Sequence, residues 1–290
     1  MSGPVAALLP GHRLHLQHGP IDLIIGADGD RETAFLAATT RFETVLDELV
    51  AELPLLRQPV GHRPDGTVAR RMHEACTFHA HDDVVTPMAA VAGSVADEVL
   101  AAMVAAAPMT RAYVNNGGDI ALHLQEPARF IVGLGGLDGT ALGQVAIDAD
   151  SPVRGVATSG AGGRSLSLGI ADSVTVLART AAAADVAATL IANAVDLPGH
   201  PAIRRQPACE SQPDSDLGRR LVTVGTGALR EDEVAQALEA GLARAQAMRK
   251  RGLIDGASLM LRRQVRVLGD VPGLPAVSTD TTRDKPLCLT

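Results

Sequence analysis

The chain has no tryptophan, one tyrosine and four phenylalanines among 290 residues. A surface that holds single-stranded nucleic acid needs rings to stack on bases along a basic groove. Here the rings are Phe35, Phe42, Phe78, Phe130 and Tyr113, and the formal charge is −7, so that class is excluded. Cysteine is scarce too: Cys76, Cys209 and Cys288 are an odd, widely spaced set without a CxxC pair, which argues against a disulfide framework. No run reaches the roughly 18 consecutive apolar residues of a membrane-spanning helix. The opening MSGPVAALLPGHR has a short apolar run with no basic residue before it, unlike a secretory signal. The expectation is a cytoplasmic protein that engages neither nucleic acid nor a membrane.

What the chain has instead is small and aliphatic mass, with 46% of residues hydrophobic. That is enough for a substantial core, as one domain or two fused units. Residues 13–25 read as two short strands around His18-Gly19-Pro20. A helix is expected from Asp30 to Leu53, on the spacing of Phe35, Phe42, Leu46 and Leu49, with Pro54 closing it. Residues 55–83, rich in His, Arg and Asp, read as strand and loop. Thr86-Pro87 opens a second helix, hydroxyl as cap and proline in the first turn. Its first turns are almost all small residues, which let another backbone or a ligand come very close.

Strands follow at 111–116, 120–125, 129–134, 142–149, 154–159 and 173–178, then an alanine-rich helix over 181–195. Residues 196–216 read as a surface loop, 220–225 as strand, 231–250 as amphipathic helix and 257–267 as strand. The last twenty residues, 271–290, read as a flexible tail. Strands grouped with consecutive helices favour α+β, as one domain over 1–270 whose two α+β units meet near 126–150.

Three stretches carry the polar chemistry. Asn115-Asn116-Gly117-Gly118-Asp119 lies between two strands; its glycines permit amides turned toward an anion, and the same residues also suit a tight hairpin turn. Thr158-Ser159-Gly160-Ala161-Gly162-Gly163-Arg164-Ser165 offers hydroxyls, flexible backbone and one guanidinium, suited to a phosphate or to a plain glycine-rich connection. On the alanine-rich helix, Asp185, Thr189 and Asn193 share one face and are the only polar side chains from Ala181 to Val195. A buried carboxylate needs a partner, and a hard cation shared with phosphates would provide one. Asp97, one turn after Gly93, either lines the same site or is an exposed acid beside Glu98. Cys76, His79 and His81, with His73 nearby, have loose metal-ligand spacing but lack a matching second half; they read as surface residues.

Taken in order, TPMAAVAGSVADEV (86–99), YVNNGGDIAL (113–122), GVATSGAGGRSLSLGIADSVTVLA (155–178) and AADVAATLIANAV (183–195) resemble the ApbE superfamily of FAD:protein FMN transferases, and most closely its cytoplasmic UPF0280 branch. The resemblance, over about 14–269, implies two T-fold-like units packed around one ligand site that holds FAD. It implies Mg2+ on the acid and threonine of an AD-x-x-x-T motif, matched by Asp185 and Thr189. It also implies nucleotide contacts from Asn116, Gly117, Gly118, Asp119, Thr158, Ser159, Gly160, Arg164 and Gly93. Two departures stand out: Ala92 replaces the lysine the transferases carry, and 163–169 lacks the histidine of their HI-x-DP stretch. The expected function is binding of a flavin nucleotide with Mg2+; if the chain is catalytic, the chemistry is metal-assisted FMN or phosphoryl transfer, with Asp119, Asp97 and His123 as candidate bases. The alternatives are a non-catalytic accessory or sensor that keeps the pocket, or a sulfide-assimilation factor toward homocysteine, with Cys76 or Cys209 carrying sulfur.

Overall fold

The computed structural model describes residues 3–135, 141–163 and 165–269; the expected tail at 271–290 and Arg164 lie outside them. The chain begins with β1 (Val5–Leu9), β2 (Arg13–His18) and β3 (Ile21–Gly29). In β2 the alternation is plain: Leu14, Leu16 and His18 are buried while Arg13 and Gln17 are exposed, the signature of a half-buried strand. Helix α1 (Arg31–Leu56) starts where Asp30 accepts the Thr33 N–H at 3.2 Å. It buries Phe35, Phe42, Val45, Leu46 and Leu49, and it runs through Pro54 rather than stopping there.

Helix α2 (Thr67–Thr77) occupies part of the segment expected as strand and loop. Its charged surface residues hide a stripe of Val68, Ala69, Met72 and Cys76, all buried. A 3-10 turn at Pro87–Ala90 leads into α3 (Val91–Ala106). Thr86 does not cap this helix; its hydroxyl donates instead to Asp216. Pro87–Ala106 is long and apolar enough to cross a membrane, yet Val95, Ala96, Val99 and Met103 are fully enclosed by protein. It is the core helix of the fold.

The strands β4 (Met109–Asn116), β5 (Asp119–Leu124), β6 (Arg129–Gly135), β7 (Ala141–Asp148), β8 (Gly155–Ser159) and β9 (Ser173–Ala178) come next. Helix α4 (Ala181–Ala194) follows. Then come β10 (Ile203–Pro207), the short α5 (Ala208–Ser211), β11 (Leu221–Thr226), α6 (Glu231–Lys250), β12 (Gly256–Leu261) and β13 (Gln264–Leu268). Two expectations are corrected here. The surface loop at 196–216 contains β10 and α5, and the single strand at 257–267 is a hairpin. Its turn places Arg262 and Arg263 at φ 48° and 68°, a left-handed conformation that arginine rarely signals.

Nine strands form one antiparallel sheet in the order β1-β2-β3-β4-β5-β8-β9-β12-β13. Alternation along β5, β8 and β9 sorts the core by face. Ala121, Ala157 and Val176 point to the helices, while Leu122, Val156 and Leu177 point to the β6–β7 ribbon, which covers them with Val145 and Ile147. The expected boundary near 126–150 falls in that ribbon, between β5 and β8, which are themselves hydrogen-bonded neighbours.

The start of α4 is wedged against two glycines. A Cβ on Gly93 would lie 2.3 Å from the Ala181 carbonyl oxygen, and one on Gly155 would lie 2.0 Å from that of Thr180. Both contacts are with backbone, which cannot swing aside. Gly93→Ala is therefore expected to lower unfolding free energy by about 3 kcal/mol, the upper part of the range for overpacking, read as a lower urea midpoint with an unchanged slope.

Candidate functional site

Two of the chemistry-bearing stretches meet where the first turns of α3 and α4 cross, and the turn after Asn116 adjoins them. The Gly93 N–H donates to Asp185 Oδ2 at 3.0 Å, and the Ala92 N–H also serves that carboxylate. In return, Asp97 Oδ1 and Oδ2 accept from the Ala181 N–H at 3.0 Å and the Ala182 N–H at 2.9 Å. Each helix thus has its unpaired first-turn amides satisfied by a carboxylate from the other. The arrangement is reciprocal: Asp97 lies one helical turn after Gly93, and Asp185 one turn after Ala181. The small first turn of α3 admits a backbone, that of α4.

Asn116 adds a third tie. It is 7% exposed, and its Nδ2 donates to the Ala92 carbonyl at 3.1 Å. Just beyond it, Gly117 and Gly118 take φ 66° and 118°, and Asn115 Oδ1 accepts the Gly118 N–H at 2.8 Å. Asn116 pairs with Asp119 across the turn. The segment is the tight hairpin turn of the two readings, and it delivers Asp119 beside Asp185.

The Ile120–Val156 pairing brings this turn to the same end of the sheet as Thr158, Ser159 and Gly160. Thr158 and Thr175 join through their hydroxyls at 2.9 Å, and the Ala161 N–H donates to the Ala171 carbonyl at 2.8 Å. Thr189 lies one turn beyond Asp185 on α4 and is half-buried. Asn193, a further turn on, is turned to other use: its Oδ1 accepts the Leu168 N–H at 2.9 Å, anchoring the segment before β9.

Burial holds Asp185 well above the usual carboxylate range; neighbouring Asp119 adds to this, the Gly93 and Ala92 amides oppose it, and Asp97 makes a smaller addition. Asp97 is pushed up to about 6 by burial, opposed by the Ala182 and Ala181 amides and by Arg71. Of the three candidate bases, Asp97 has both oxygens occupied by α4. His123 lies farther down β5, about 13 Å from Asp119 at strand rise, with Nε2 3.2 Å from the Met109 carbonyl. Asp119 acts on Asp185 more strongly than Asp97 does.

Other expectations need correcting. Cys76 and His79 are not surface residues: both are buried, whereas His81 is exposed beside Asp82. The Cys76 thiol donates to the Thr86 carbonyl at 3.4 Å, and burial, with Asp185 second, raises its pKa. A thiol so buried and held un-ionised is a poor nucleophile. Among the described residues no three His, Cys, Asp or Glu side chains cluster to hold a metal by themselves. Two cavities of about 470 Å³ each lie elsewhere, and none of these residues lines either.

The reciprocal caps went unread in the sequence, although a signal for them exists. Both acids follow a small residue at the head of a helix by one turn, in Gly93–Asp97 and Ala181–Asp185.

A family model described as AbpE bacteria matches residues 6–267. A UPF0280 protein of Methanothrix thermoacetophila is 35% identical over 187 residues, covering 61% of this chain and 75% of that one. Another, from Methanosphaerula palustris, is 43% identical over 114 residues, covering 38% of this chain and 47% of the relative, about half its length. Among solved structures, the flavin transferase ApbE from Vibrio cholerae superposes with a TM-score of 0.53 at 14% identity, over 94% of this chain and 98% of that one. That likeness is one of fold.

Raised carboxyl pKa values set the sign of a pH effect. Asp97 has an ordinary value of 3.8 and a folded value of about 6, so its contribution to stability is full below about 3.8 and is lost as pH rises through about 6. Unfolding free energy should therefore fall across that window. In Asp97→Asn the fall should be shallower, with the contribution of Asp185 remaining. Urea titrations at several pH values would check this, and an unchanged slope would refute it.

Proposed function

The chain belongs to the family described as AbpE bacteria, and on that premise we propose that it holds a flavin nucleotide, FAD, at the crossing of α3 and α4, with Mg2+ on Asp185 and Thr189. The observation that carries this reading is the meeting of Asp185 and Asp119. Two carboxylates, one of them desolvated, face each other's field at the end of the sheet where the 117–118 turn and residues 158–160 converge. A hard divalent cation suits two such carboxylates when phosphate oxygens complete its shell. Bound there, Mg2+ would neutralise charge on the pyrophosphate.

The chain's own residues supply the rest. Asn116 and the capped α3 terminus fix the floor. Backbone and hydroxyl groups of Gly117, Gly118, Thr158, Ser159 and Gly160 hold the nucleotide's polar edges. With FAD bound, Asp119 would take the proton of an incoming hydroxyl from a protein acceptor, whose oxygen would bond to the FMN phosphorus as the bridging P–O bond breaks and AMP leaves.

A second reading rests on a specific residue. Ala92 stands where the transferases carry lysine, and its backbone is already engaged on both sides, N–H to Asp185 and carbonyl to Asn116. An accessory or sensor protein that binds FAD without transferring FMN fits that departure.

Fluorescence titration with FAD and MgCl2 tests the binding. Thr189→Val and Asp185→Asn should each weaken Mg2+-dependent FAD binding by about tenfold or more, as removal of a charge-assisted contact does. Equal, negligible binding in wild type and variants would end the proposal. Incubation with FAD, Mg2+ and an acceptor carrying a flavinylation motif then separates the readings: covalent flavin on the acceptor means transfer, and retained FAD with an unmodified acceptor means accessory.

A further inference from the structure

The β6–β7 ribbon covers only part of its face of the sheet, leaving β2, β3 and β4 open beside the first residues of β6. In that corner lies a cavity of about 470 Å³ lined by Arg13, Arg31, Arg111 and Arg129 with Tyr113 and Phe130. Asp28 is the one carboxylate in its lining, although the chain as a whole carries −7. The volume falls within the range of small-molecule sites, about 300–1,000 Å³.

The guanidinium groups face solvent, and each has a hydrogen-bond or ion-pair partner that directs it. Arg111 donates from Nε to Asp28 Oδ2 at 2.6 Å and from its NH1 nitrogen to the Arg129 carbonyl at 3.1 Å. It also lies 5.6 Å over the Phe130 ring. Arg31 donates from Nε to the Ala27 carbonyl at 2.9 Å and sits 3.6 Å from the same Asp28 carboxylate. Arg129 pairs with Asp148 at 3.0 Å. Arg13 has no ion pair among the described residues; its Nε donates to the Pro10 carbonyl at 3.1 Å.

Three of these guanidinium groups therefore share two carboxylates, and the fourth, Arg13, has none among the described residues. Guanidinium forks match phosphate oxygens two at a time. Tyr113 forms the floor: Gly26 lies beneath its ring, where a Cβ would come within 2.4 Å of Cε1. Phe130 stands edge-on to it, with centroids 6.0 Å apart and planes at 87°. The two perpendicular rings put apolar surface beside the cations. From this placement we infer a second ligand site, for a small phosphate ester of nucleotide size carrying at least two phosphate charges. It is separate from the α3–α4 crossing, since the two share no residue.

Isothermal titration with inorganic pyrophosphate and with ADP, both without Mg2+, tests this on the full chain. The expected result is saturable binding of one equivalent to wild type. Arg13→Gln should weaken binding by about tenfold, the loss of one charge-assisted contact, and Arg31→Gln should do the same. Arg13 holds only a turn carbonyl, so its variant keeps the test valid if Arg31→Gln does not fold. No saturable binding, or equal binding in wild type and Arg13→Gln, would overturn the inference. Tighter binding of a single-stranded oligonucleotide than of ADP would overturn the small-ligand assignment.

Discussion

The molecule is organised by an exchange between two helix ends. Buried amides at a helix start must find acceptors, because leaving them unpaired costs about as much as a lost hydrogen bond or more. Ala90, the residue before α3, has no side chain that can cap it, so the amides of Ala92 and Gly93 turn to Asp185 on the other helix. Asp97 repays the same service at α4. The axial dipoles favour this, since each carboxylate rests at the positive end of the partner helix. The tight approach that makes it geometrically feasible is what excludes a side chain at Gly93 and at Gly155.

Around this junction the charges fall into layers with different consequences. Glu98, 9% exposed, draws in Arg41 at 2.9 Å and Arg71 at 2.8 Å, tying α1 and α2 to α3. Arg244 of α6 and Arg251 at its C-terminal cap reach Asp83 and Asp82 in the segment after α2, so the last long helix is pinned to the first half of the chain. These acids face arginines, whereas Asp185 faces other acids and amides. That contrast in partners, more than depth, separates a structural ion pair from a place where a cation or a proton is wanted.

The regular elements were legible where one physical signal dominated. The hairpin of β2 and β3, the strands β4 through β9, and helices α1, α4 and α6 follow from alternation or from a clear helical stripe. Helix α2 escaped because its exposed residues are charged and histidine-rich, so its four inward residues were outvoted. The β12–β13 hairpin escaped because its turn uses Arg262 and Arg263 where glycine or asparagine would have announced it. For the candidate site, the helix-face pattern of Asp185 and Thr189 and the turn at Gly117–Asp119 were visible. What was not visible is that Asp97 and Asp185 answer each other, since only the crossing of two distant helices sets that pairing. The arginine-lined corner was equally hidden, because its members come from β2, β4, β6 and the start of α1.

One consequence reaches beyond this chain. Because Asp185 stabilises the head of α3, selection for a folded protein alone would preserve it in a descendant that had lost every ligand. An AD-x-x-x-T signature in a distant relative is then a record of shared architecture. Thr189, one turn on and half-buried, makes no side-chain hydrogen bond among the described residues, so the scaffold places no such demand on it.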